Sequence, residues 1–149
     1  NSNASSDAQT LEGCGGVISA TKPLPEDLFK AFYNRGIANS NMGDSDKALQ
    51  DYDQAINRKP DYTIAFNNRG LIYSRKGQQD RAILDFDQAI RIDPSYALAY
   101  NNRGLAYFRK GDYDRAIEDY DQAIKLKPDY EKAIDNRADA LKKKAQAGR

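Results

Sequence analysis

One block of thirty-four residues is written three times in succession. It first reads "FKAFYNRGIANSNMGDSDKALQDYDQAINRKPDY" (29–62), then "TIAFNNRGLIYSRKGQQDRAILDFDQAIRIDPSY" (63–96), then "ALAYNNRGLAYFRKGDYDRAIEDYDQAIKLKPDY" (97–130), with fourteen of the thirty-four columns identical in all three. Blocks of equal length and pattern fold into equal units. Each unit buries its apolar face on the next, so the period fixes a stacked architecture before any single element is assigned.

Within a block there are two helical patterns. In the third, Tyr100, Gly104, Tyr107 and Phe108 lie on or beside one stripe of a first helix. Ala116, Ile117, Tyr120, Ala123 and Ile124 form the stripe of a second, at helical spacings. Gly43, Gly77 and Gly111 stand at the turn between them, where a positive φ is needed. Pro60, Pro94 and Pro128 stop each second helix. Gly36, Gly70 and Gly104 sit in mid-helix, at about 1 kcal/mol against alanine. A close approach of the two helices, with Ala48, Ala82 and Ala116 opposite the glycines, is the expected compensation.

Composition narrows the function. Of 149 residues, 30% are charged, yet the net charge is only +1, which lacks the basic surplus a nucleic-acid binder needs. No apolar run approaches the roughly 18 residues of a membrane span. Histidine is absent and Cys14 is the single cysteine, so no Ser-His-Asp or Cys-His pair and no histidine zinc site can form. Cys14 reads as a small apolar residue, or as half of a disulfide to a cysteine outside this sequence. No metal or cofactor is expected.

The pattern aromatic-x-x-x-Gly-x-x-Tyr, then Ala-x-x-x-aromatic, then Pro, on a 34-residue period, resembles the tetratricopeptide repeat. The resemblance covers residues 29–130. It implies an all-α, right-handed solenoid of helix-turn-helix repeats whose first helices line a concave groove. The sequence departs from the family at Phe32, Phe66 and Tyr100, where tryptophan is usual, and at Arg35, Arg69 and Arg103, where leucine is usual. Asn39 replaces the tyrosine held by Tyr73 and Tyr107.

The flanks extend the array. Residues 131–149 carry Ala133, Ile134, Asn136 and Arg137 in register with a first helix, with Ala138 in place of the glycine. They are expected to form a capping helix whose lysines, Lys142, Lys143 and Lys144, solvate an otherwise open apolar end. Residues 7–28, with "TLEGCGGVIS", imitate a second helix and its loop, as an N-terminal half repeat. That makes about eight helices. Residues 1–6 read as a cloning scar and tail, so the natural N-terminus is expected to lie elsewhere.

A catalytic centre is normally written once, whereas these polar columns recur. Asp51/Asp53, Asp85/Asp87 and Asp119/Asp121 are therefore expected to be structural. Arg35, Arg69, Arg103 and Arg137 are expected to meet them in a ladder, since a buried guanidinium needs a carboxylate or carbonyl. The column Asn34, Asn68, Asn102 and Asn136, joined by Asn67 and Asn101, has two readings. One is an asparagine ladder for a peptide backbone, as the resemblance to solenoids such as O-GlcNAc transferase implies; the other is hydrogen bonding between neighbouring repeats.

The variable columns complete the expected groove: Lys30, Tyr33, Ile37 and Asn41; Ile64, Leu71 and Arg75; Leu98, Leu105, Phe108 and Arg109; then Asp135 and Asp139. The lysine–asparagine clamp of chaperone-binding members is largely missing. Its places hold Tyr33, Asn67 and Asn101, then Ile37, Leu71 and Leu105. The sequence thus points to a non-catalytic adaptor for a protein or peptide with apolar anchors and some acidic character, as a monomer or weak homo-oligomer. Self-assembly through the ends of the array, and service as the targeting arm of a larger protein, are the alternatives. Near-consensus regularity resembles bacterial members, some of them exported, and leans toward the periplasm without fixing the compartment.

Overall fold

The structure, a computed structural model, describes residues 27–148. They form seven α-helices and no strand: α1 (Leu28–Asn41), α2 (Ser45–Arg58), α3 (Thr63–Arg75), α4 (Gln79–Ile92), α5 (Ala97–Arg109), α6 (Tyr113–Leu126) and α7 (Glu131–Ala147). The half repeat expected over residues 7–28, and Cys14 with it, lies outside the described residues apart from its last two positions. No helix among the described residues is long and apolar enough to cross a membrane.

Local chemistry sets the helix ends. Gly43, Gly77 and Gly111 all adopt a positive φ, between 77 and 84°, which lets each first helix stop and the chain reverse within a few residues. Asp44 and Asp112 cap α2 and α6, their carboxylates accepting the amides of Lys47 and Arg115 at 3.2 Å. At the same place α4 has Gln78 and no side-chain cap. The second helices end at Arg58, Ile92 and Leu126, two residues before Pro60, Pro94 and Pro128, because the residue preceding proline is driven out of the helical region.

The chain divides into two compact units, Asn1–Ile72 and Tyr73–Arg149, with the boundary in the last turns of α3. In the first, α1 packs on α2. Ala48 and Tyr52 of α2 enclose a core with Ile72, against which Tyr33, Ile37 and Leu49 pack. In the second, α4 packs on α5, α5 on α6 and α6 on α7. Ala116 and Tyr120 of α6 close on Ala140 of α7, with Tyr107, Phe108 and Ile117 around them.

Gly36 and Gly104 mark a close approach of the two helices in their hairpins. What fills the space is an aromatic ring rather than the expected alanine. A methyl at Gly36 would stand 2.8 Å from Cε1 of Tyr52, and one at Gly104 would stand 2.8 Å from Cε1 of Tyr120 and 3.1 Å from the Ala116 carbonyl. The stripe read on α6 also shifts. Ile117 and Ile124 are only half-buried, while Asp119, between the two faces of that pattern, is in the interior. A carboxylate in that place needs a partner, and the arginine column supplies it.

Candidate functional site

In unit 1, Arg35 of α1 forks onto Asp51 of α2, Nε at 3.0 Å from both oxygens and Nη2 at 2.6 Å from Oδ1. Asn39 adds a fourth donation to Asp51, at 2.8 Å. Arg69 reaches back from α3 to Asp53 at 2.6 Å. In unit 2, Arg103 of α5 takes both directions at once. Nε and Nη2 hold the two oxygens of Asp119 at 2.9 and 2.6 Å, and Nη1 holds Asp87 of α4 at 2.6 Å. Arg137 of α7 pairs with Asp121.

The expected ladder is therefore present, each rung spanning sixteen residues forward or back. Burial weakens the Arg103 cation, but Asp119 and Asp87 more than compensate and hold its pKa above the ordinary arginine value. Burial pushes the Asp119 carboxyl up despite the arginine beside it. These aspartates are spoken for, which is a positive reason to read them as framework. A recess lined by Arg35, Asn39, Lys47, Gln50 and Asp51 in unit 1 belongs to the same network.

The asparagines resolve into glue between neighbouring first helices. Asn68 donates to the Tyr33 hydroxyl at 3.0 Å, and Asn136 donates to Oδ1 of Asn101 at 2.9 Å, each across thirty-five positions. Asn67 and Asn101 donate in turn to Asn68 and Asn102, at 3.2 and 3.4 Å. Asn67 is 0% exposed and Asn101 1%, and Asn102 is also buried, so these three expected groove residues do not face solvent. The reason is helical geometry. A step of one residue turns the side chain by about 100°, which carries Asn67 and Asn101 inward from Asn68 and Asn102, and Asn102 is itself enclosed in the third repeat.

What remains at the surface of the first helices is apolar with a polar rim. In unit 1, Ile37 and Leu71 are half-buried, Tyr33 and Ile64 likewise, and Lys30, Asn34 and Asn41 are exposed. In unit 2, Leu105 and Phe108 are half-buried, and Arg75, Leu98, Arg109, Asp135 and Asp139 are exposed. Arg109 donates to the buried Ser74 hydroxyl at 2.6 Å, which braces its guanidinium. Sequence reasoning missed one cluster. Phe29 and Tyr33 pack edge-on against Tyr62, centroids 4.9 and 5.1 Å away, with Lys30 and Lys59 over the Phe29 ring. The available signal was that Thr63 and Ala97, then Asn67 and Asn101, stand where Phe29 and Tyr33 do.

Models of the tetratricopeptide repeat match residues 29–62 and 97–130, and 51–84, and a model described as TPR repeat matches 75–111. The chain belongs to the tetratricopeptide-repeat (TPR) family. Solved TPR structures are similar to it. The Sgt2 TPR domain from Aspergillus fumigatus is 29% identical, with a TM-score of 0.78 over 85% of this chain and 83% of that one. The first TPR of Spaghetti (RPAP3), bound to the HSP90 peptide SRMEEVD, is 23% identical, with a TM-score of 0.79 over 81% and 96%. MamA is 30% identical, with a TM-score of 0.67 over 70% of this chain and 61% of that one. No curated protein sequence matches.

Proposed function

We propose that this TPR chain is a non-catalytic interaction module that binds an extended segment of a partner protein on the exposed face of its first helices. The observation that carries the reading is the column Ile37, Leu71 and Leu105. All three first helices keep an aliphatic residue at the same register, and each is only half-buried, with part of its side chain left at the surface. Ile37 and Leu71 beside Asn34 in unit 1, and Leu105 with Arg75 and Arg109 in unit 2, each suit a peptide with apolar anchors and, at the arginines, acidic neighbours. The framework around it is already ordered by the arginine and asparagine bonds, so little entropy is lost on the receptor side when a ligand docks.

Similarity to the RPAP3 domain with its HSP90 peptide supports peptide binding in general. The acidic-tail mode is disfavoured, because the clamp's places hold Tyr33, Asn67 and Asn101, then Ile37, Leu71 and Leu105, which supply no cation. The test is a peptide-library selection followed by fluorescence titration of the best binder. Leu71→Ala and Leu105→Ala should each weaken binding at least about fivefold with the helical signal intact. Asn68→Ala should act mainly on the melting temperature, since its amide is engaged with Tyr33 and Asn67. If both leucine variants fold and bind like the parent, this assignment is wrong.

A further inference from the structure

Unit 2 ends in a helix face that the described residues leave uncovered. On α5, the face that meets α6 includes Arg103, Gly104 and Tyr107, with Tyr100 four residues before Gly104 on the same side of the helix. There Arg103 grips Asp119, and Gly104 lies under the Tyr120 ring. Thirty-four residues on, α7 repeats that face as Ile134, Arg137, Ala138 and Leu141. Ile134 is 44% exposed and Leu141 43%, and Ala138 and Ala145 are exposed between and beyond them. These four apolar residues follow one another at spacings of four, three and four, a continuous seam along one side of the helix.

The seam is selective about its cover. A second helix built like α6 cannot seat on it, because Ala138 stands where glycine made room. The corresponding methyl on Gly104 would meet the Tyr120 ring at 2.8 Å. A cover must instead offer small and aliphatic side chains at the crossing point. Its charges are also prescribed: Glu131 and Asp135 flank the start of the seam and Lys142 its far end, and none of these three makes an ion pair among the described residues. A helix running antiparallel, basic at its end and acidic at its start, satisfies both ends. The helix that meets every one of these conditions is α7 itself.

We propose that α7 pairs antiparallel with α7 of a second copy about a two-fold axis near Ala138. Ile134 of each copy packs on Leu141 of the other, and Lys142 of each lies beside Glu131 and Asp135 of the other. The contact is isologous, so it closes at two chains. One helix face is far smaller than a standard interface, which makes this a reversible dimer of modest affinity.

Sedimentation equilibrium of the full chain, from about 10 μM to about 1 mM, tests it. The mass should rise with concentration to that of two chains and stop there. Leu141→Lys should raise the concentration needed at least about tenfold, with unchanged thermal melting, because the residue is exposed in the single chain. Glu131→Lys and Lys142→Glu should each weaken the dimer, and the two together should restore it toward the parent. A one-chain mass throughout would overturn the proposal. So would growth past two chains without a plateau, a Leu141→Lys variant that dimerises like the parent, or a double variant no tighter than either single one.

Discussion

The hairpins α1–α2 and α5–α6 come from the same template and solve the same problem differently. Both bury an aspartate from the second helix beside a mid-helix glycine. Asp51 receives the whole fork of Arg35 and an added amide from Asn39. Asp119 has Arg103, which is shared with Asp87. At the position of Asn39, the third repeat has Tyr107, whose ring lies under the Arg115 guanidinium at 4.5 Å. The template dictates that a carboxylate is buried. Its neighbours decide how it is neutralised.

The sharpest way to break this comparison is to remove the arginines. Arg103→Ala should cost about 3 kcal/mol, because it strands a nearly enclosed carboxylate and frees a second one. Arg35→Ala should cost less, since Asn39 still donates to Asp51. Combining Arg35→Ala with Asn39→Ala should bring the first hairpin to the level of Arg103→Ala in urea unfolding. Equal single losses would show that Asn39 contributes nothing. Next in size is Gly104→Ala. Its gain in helix propensity is outweighed by a methyl 2.8 Å from the Tyr120 ring, a net loss of about 1–2 kcal/mol. A melting temperature at or above the parent's would refute the close approach.

Tyr120→Phe should move stability little, and upward. The Tyr120 hydroxyl is buried without a hydrogen-bond partner among the described residues, and burial pushes its pKa well up. Phe86 already fills the same column in the second repeat at 0% exposure. Deleting the hydroxyl should gain up to about 1 kcal/mol, and a loss would reveal a partner for it.

The smallest effect is in acid. Lys47 and Arg115 hold the capping carboxylates Asp44 and Asp112 below their ordinary pKa. Their contribution is present above the unfolded value and lost as pH falls through the folded one. The raised Asp119 carboxyl has the opposite sign: its contribution is full in acid and lost as pH rises through its folded value. Asp112→Asn should therefore flatten the fall in melting temperature below about pH 4 without abolishing it. An unchanged slope would remove Asp112 from the account.

Much of the framework could be read from residue types alone. Glycine at each turn, proline after each second helix and an arginine column facing an aspartate column each have one cheap physical solution, and the molecule adopts it. The surface was harder to read. Asn67 and Asn68 are the same residue one step apart, and residue type alone does not say which of the two is enclosed. The ring over Gly36 or Gly104 was equally hidden, since spacing along a helix places alanine and tyrosine on almost the same stripe. Arg109 could be placed on the rim, but its brace on Ser74 joins columns that no pattern within one repeat connects.

Arg103 has a consequence for how such a chain can change length. Its guanidinium takes one counter-ion from sixteen residues before it and one from sixteen after, so the ionic bookkeeping is closed within a single period. A genetic duplication or loss of a whole period would arrive or depart with its ionic partners still in register, whereas an insertion of any other length between Arg103 and either aspartate would move that pair out of register. Lineages carrying this arrangement are thus free to grow or shrink by whole modules and are held to that step size by electrostatics.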